Sequence, residues 1–132
     1  MSNEIMEVKQ EFKEFCSMVV NSDNDRQVLF NAISATPHKL SDYINKVIKV
    51  KDVYVETVKV KDRKGEIVDA PRVVLIDEKG EGYGCVSQGV YGALRKLFVV
   101  FGVPTWDEPV PVEVKQVQGK DSNRILTLSV KF

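Results

Sequence analysis

The sequence is poor in the residues that metal sites, disulfide frameworks and membrane spans require. Of 132 residues, two are cysteine, one is histidine and one is tryptophan. Cys16 and Cys85 lie far apart and outside any C-x-x-C spacing, so they read as two reduced thiols of a cytoplasmic protein. His38 stands alone, with no cysteine or histidine cluster to hold zinc and no partners for a catalytic triad. It reads as an exposed loop residue, and no set of groups meets the geometric roles an enzyme site requires, so no cofactor is expected. No run approaches the roughly 20 apolar residues that a bilayer crossing needs, and the first residues lack the apolar core of a signal peptide. A charge excess of either sign is also lacking, because 19 basic side chains face 19 acidic ones. Nucleic-acid binders are usually basic, so neutrality counts at first against that class.

What is present is globular. Hydrophobic residues make up 43% and charged residues 29%, in a chain long enough for one domain with a real core. Residues 1–39 form an N-terminal arm ahead of a domain over 40–132. Within the arm, the turn-rich run NSDND at Asn21–Asp25 predicts a hairpin between FCSMVV and RQVLFNAIS. Asn24 with Gln27 also fits a helix start, so a helix over Asp25–Ser34 stays open as the alternative. Phe30 is assigned to the core. Further on, Ser41 is placed to cap a short turn through Asp42–Asn45.

Lys46–Val60 alternates apolar and polar residues, with valine at almost every second place. The phase slips near Lys51–Val53, which is the signature of a β-bulge. DRKGE turns the chain into a second strand, Arg72–Asp77, and EKGEG turns that into a third, Tyr83–Ser87. The period then becomes helical, with Val90, Leu94, Leu97, Phe98 and Phe101 on one face. Ser87 is placed to cap this helix, and Gly102 and Pro104 stop it. Val110–Gln118 and Asn123–Lys131 are the last two strands. Three strands, a helix and two strands are the order of a five-stranded OB-fold Greek-key barrel. The fold class is therefore mainly β, with one helix between strands three and four. Trp106, after that helix, reads as a packing lid, and Tyr91 on the helix as structural.

Divided along the chain, the charges are uneven. Residues 46–75 hold 8 basic and 5 acidic groups, and residues 110–132 hold 4 and 2. Residues 1–45 hold 4 and 7, and residues 76–109 hold 3 and 5. An OB-fold binds oligonucleotides over its second and third strands and the loops between strands one and two and strands four and five. Here those loops carry Arg63 with Lys64, and Lys120 with Arg124, and Lys59 and Lys61 lead into the first. Tyr54, Arg72 and Tyr83 are candidates for the strand face, where a single-strand site pairs cations with stacking rings. A protein-docking barrel without nucleic-acid binding is the alternative, supported by an exposed edge at Lys46–Val60 and the acidic arm.

The series LFNAIS, KLSDYINKVIKVKDVYVE, APRVVLID and GYGCVSQGV, with a helix ending FG-x-P, resembles single-stranded DNA-binding proteins encoded by phages of Gram-positive bacteria. The likeness runs over roughly residues 28–132. It implies an OB-fold that coats single-stranded DNA in the host cytoplasm during phage replication or recombination, without sequence preference or cofactor. Replication or recombination proteins would be its further partners. It supports Tyr54, Arg72 and Tyr83 as one strand-face group with basic loop residues beside them. The sequence ends SVKF, where bacterial single-strand binders carry an acidic tail ending in Pro-Phe, so recruitment by that tail does not carry over.

Overall fold

Alternating valines make β3 (Val47–Lys61) the longest strand, and every other element takes its place from it. The computed structural model describes residues 14–119 and 124–132. In chain order the remaining elements are β1 (Phe15–Cys16), α1 (Asp23–Ser34), β2 (His38–Lys39), a 3-10 turn (Leu40–Tyr43), β4 (Ile67–Asp77), β5 (Gly82–Val86), α2 (Gln88–Phe101), β6 (Val110–Gln118) and β7 (Arg124–Val130). The strands form a single curled sheet in the order β2-β5-β4-β3-β6-β7, with β1 also on β3. All pairs are antiparallel except β2 with β5.

β3 serves two neighbours. Val47–Val50 pair with β6, and from Asp52 onward the strand follows β4, with a register shift between Val50 and Asp52. This is the bulge that the phase slip predicts, and it lets one strand bend between the two halves of a half-barrel. The two hairpin turns use one local device. In DRKGE and DEKGE the aspartate Oδ1 accepts from the backbone two and four residues on, for Asp62 as for Asp77. Gly65 and Gly80 then take the left-handed conformation that closes each turn.

The concave side holds the main core. Leu40, Val53, Val73, Leu75, Val90, Val112 and Val114 are completely buried in it. Each such side chain contributes about 1.5–3 kcal/mol of transfer free energy. Helix α2 closes one end with Leu94 and Leu97 buried and Phe101 half-buried. Ser87 Oγ caps it by accepting from Val90 N at 3.1 Å, and Gly102 ends it at φ 84°. Trp106 is 6% exposed and lies over the core as the expected lid, its Nε1 donating to Gly102 O at 3.0 Å.

Four expectations change. Among the described residues there are seven strands rather than five, because the two-residue segments β1 and β2 join the sheet. The predicted hairpin across NSDND is helix α1. Its turn residues serve as a cap, with Ser22 Oγ accepting from Asp25 N at 3.1 Å and Asp25 Oδ2 accepting from Asn21 N at 3.0 Å. Phe30 is not core but 66% exposed, since Ala32 is the buried residue of α1. Finally, Ser41 does not cap its turn: Lys39 holds that position with no side-chain bond. The sheet is mainly β, barrel-like, and consistent with an OB-type barrel.

Helix α1 lies on the convex side, over Val74 and Ile76. Its seat is made of alternate glycines. A Cβ on Gly82 would come within 2.5 Å of Ala32 O, one on Gly80 within 2.8 Å of Val28, and one on Gly84 within 3.0 Å of Thr36. Gly92, inside α2, has open space in place of a neighbour. Gly82→Ala is therefore expected to cost about 1–3 kcal/mol by forcing α1 away. Gly92→Ala is expected to stabilise by up to about 1 kcal/mol through helix propensity. Urea unfolding of the two variants beside the parent chain checks both signs.

Candidate nucleic-acid interface

Register decides which side chains can meet. Val53, Val55, Val73 and Leu75 point to the main core, so Tyr54, Glu56, Arg72, Val74 and Ile76 point to the convex face. On β5, Tyr83 pairs with Leu75 and Cys85 with Val73, which puts both on the core side. Tyr54 and Arg72 thus share the convex face, while Tyr83 lies on the opposite one. Glu56 stands directly across from Arg72 in the β3–β4 ladder.

Arg72 is held from three sides. Its Nη1 donates to Glu56 Oε2 at 3.0 Å, and its Nη2 donates to Ile33 O at 2.9 Å and Thr36 Oγ1 at 2.6 Å. Glu56 Oε1 in turn accepts from the Tyr54 hydroxyl at 3.0 Å. Burial, and then that hydrogen bond, raises the Tyr54 hydroxyl above its usual range. Beyond this group the β3–β4 hairpin extends outward. Lys59, paired with Asp69, and Lys61, opposite Ile67, continue the alternation of Val53 and Val55 and so lie on the face opposite Arg72, while Arg63 and Lys64 are exposed at the tip.

Tyr83 has a different role from the one its sequence position predicts. Its hydroxyl donates to Asp77 Oδ2 at 3.0 Å, and burial first and that carboxylate next push it well above the tyrosine range. The His38 ring stacks on it at 4.6 Å and 19°, and Tyr43 meets both rings edge-on. His38 is therefore not a free loop residue. Its Nε2 lies 2.7 Å from Glu81 Oε1 and its Nδ1 lies 2.8 Å from the Tyr43 hydroxyl. Because a carboxylate only accepts, Nε2 carries a proton.

Two adjoining clefts run along the edge of β5. The smaller, about 240 Å³, is lined by Thr36, His38, Lys39, Arg72 and Gly84–Val86. The larger, about 840 Å³, shares Lys39 and Gly84–Val86 and continues past Ser41 and the start of α2 to Arg124, Ile125 and Leu126. It occupies the seam where β5 and β7 face each other, and no ladder joins those strands among the described residues. The clefts bring Arg72 and Arg124 onto one continuous path, with Lys39 between them. Lys120 lies outside the described residues. The site is thus a half-open groove with cations at intervals and the His38 ring, backed by Tyr83, at its wall.

A family model described as phage single-stranded DNA-binding protein matches residues 6–131. The chain belongs to that family. No curated protein and no solved structure matches it significantly. The function carried by the family is single-stranded DNA binding in phage replication, and single-stranded DNA is the partner.

For a phage single-stranded DNA-binding protein, the position of Lys39 and His38 is what the sequence pattern leaves unseen. They enter the groove through β2, a two-residue parallel pairing with Tyr83 and Gly84 that is too short to have a periodicity. The alternate glycines of G-E-G-Y-G signal a close neighbour on one strand face, but that neighbour is α1 with Thr36 after it, not β2. Cys85 lines both clefts, yet burial pushes its thiol up to about 12 from an ordinary 9.0, against a smaller opposing effect of Arg72. At pH 8 this lowers its thiolate fraction on the order of a thousandfold. A thiol reagent at pH 8 should label exposed Cys16 first and Cys85 only after unfolding. Mass spectrometry of a time course reads the order.

Proposed function

We propose that the chain coats single-stranded DNA without sequence preference, along a path from the β3–β4 hairpin over Arg72 into the seam between β5 and β7. The continuity of the two clefts between Arg72 and Arg124 carries this reading. Phosphates would be neutralised in turn by Arg63 and Lys64 at the hairpin tip, by Arg72 and Lys39, and by Arg124, while Lys59 and Lys61 lie on the other face of the hairpin. Tyr54 flanks Arg72 on the convex face and offers a stacking ring there. Inside the cleft the available ring is His38, and Tyr83 backs it. This is electrostatic and stacking chemistry, with no catalytic step and no cofactor. The path corresponds to the oligonucleotide face of an OB-fold, with residues 1–39 as an arm on a barrel over 40–132. No helix among the described residues is long and apolar enough to cross a membrane. The host cytoplasm, where phage DNA replicates, is the compartment this reading requires.

Fluorescence titration with oligo-dT and with duplex of equal length tests the function. Tight, salt-sensitive binding to the oligo-dT and weak binding to the duplex is the expected result. Arg72→Ala and Arg124→Ala should each weaken oligo-dT binding and reduce the slope against log salt by about 0.7. Tyr54→Ala should cost about 1–3 kcal/mol of affinity while the fold stays intact. Binding that ignores all three substitutions would place the DNA elsewhere. Capture of a protein partner with no oligonucleotide binding at low salt would favour a docking module instead.

A further inference from the structure

We infer that Glu56 is an internal competitor for the phosphate that Arg72 takes, so that single-stranded DNA enters this face by displacing one of the protein's own carboxylates. The inference rests on the interface proposed above. A single carboxylate holds both the cation and the tyrosine hydroxyl of the convex face, since Oε2 accepts from Arg72 Nη1 and Oε1 from the Tyr54 hydroxyl, each at 3.0 Å. The other partners of Arg72, Ile33 O and Thr36 Oγ1, are neutral. They aim the guanidinium without compensating its charge. Glu56 supplies the compensation, and it presents two anionic oxygens as a phosphate does.

The exchange is physically accessible. The Arg72 side chain is 21% exposed and that of Glu56 is 32% exposed, with Arg72 on the wall of the smaller cleft. A pair with this much solvent contact is within reach of a competing anion. A polyanion brings a phosphate and also gains from the release of its counterions. Displacing Glu56 releases the Tyr54 hydroxyl in the same step, because that hydroxyl and the guanidinium are bound to one carboxylate. The cation and the neighbouring hydroxyl thus become available together, and both stay engaged when no DNA is present. In the ladder Glu56 faces Arg72 directly, so the competitor is built into the strand register.

The test compares oligo-dT affinity of Glu56→Gln, Arg72→Ala, the double variant, and Glu78→Gln as a control for the loss of one exposed negative charge. Gln removes the charge and keeps one oxygen to accept from Arg72, while its amide NH2 can donate to the Tyr54 hydroxyl oxygen in place of accepting from it. Glu56→Gln is expected to bind about fivefold more tightly, the scale on which an exposed ion pair is felt. Glu78→Gln should change affinity by less than about twofold, as expected for a single screened charge. The double variant should bind no more tightly than Arg72→Ala alone. Unchanged or weaker binding by a folded Glu56→Gln overturns the inference, and so does a gain that persists without Arg72. If Arg72→Ala leaves affinity intact, the interface itself is misplaced, which is a separate failure. Should Glu56→Gln fold poorly, the carboxyl carbon resonance of Glu56 in the unaltered protein decides. It must shift when oligo-dT is added, and a stationary signal at saturation refutes the exchange.

Discussion

The bend in β3 at Val50–Asp52 is the constraint on which the rest of the structure depends. Before it the strand pairs with β6, and after it with β4. The bend is locked by a polar group inside the core. Asp52 is buried, and its Oδ1 accepts from the hydroxyls of Ser17 and Thr105, while Ser17 Oγ accepts from Val53 N at 2.9 Å. Trp106 N donates to Lys51 O at 3.0 Å beside it. The start of the described chain, the bulge and the loop after α2 therefore meet at one hydrogen-bonded point. The buried carboxylate is tolerated because two hydroxyls donate to its Oδ1. Moving the bulge by one residue would exchange the faces of β3 beyond it, turning Val53 and Val55 outward.

From that register the two faces of the sheet acquire different chemistry. The concave side takes the valines and closes on α2 and Trp106. The convex side takes Tyr54, Glu56 and Arg72 and is partly covered by α1, which rests on backbone where Gly80, Gly82 and Gly84 carry no side chains. This cover leaves the β5 edge and the seam toward β7 as the open ground. The Arg72 guanidinium is joined to the end of α1 through Ile33 O. The same contact that fixes the helix also orients the cation toward the cleft.

Strand order, the bulge, the capping by Ser87 and the lid role of Trp106 were legible because each is a local pattern. Periodicity, a cap and a phase slip all lie within a few residues. The faces of β5 were not legible. In five residues alternation separates Tyr83 and Cys85 from Gly82, Gly84 and Val86, but only the pairing with Leu75 and Val73 says which set is inside. Tyr54 and Tyr83 were thus grouped although they lie on opposite sides. Helix α1 was ambiguous for another reason. A run of Asn, Ser and Asp can close a hairpin or cap a helix, and its weakly apolar face, with Phe30 outside, does not decide between them. Lys39 and His38 reach the groove through a pairing of two residues, for which no sequence period exists.

The balance of 19 basic and 19 acidic groups has a local counterpart along the proposed path. Arg72 is paired with Glu56 on that path, and Lys59 with Asp69 on the other face of the same hairpin. Neutrality is therefore not only a contrast between basic and acidic segments, because individual cations already hold anions of the same chain. Such pairs lie at the surface, where each is weak and screened by salt. The advantage of a polyanion comes from many phosphates on one strand rather than from any single contact. A protein arranged this way would ignore isolated anions and respond to a continuous charged strand. A coat that must assemble on exposed DNA and later release it needs that discrimination, and it follows from weak internal pairing rather than from excess positive charge.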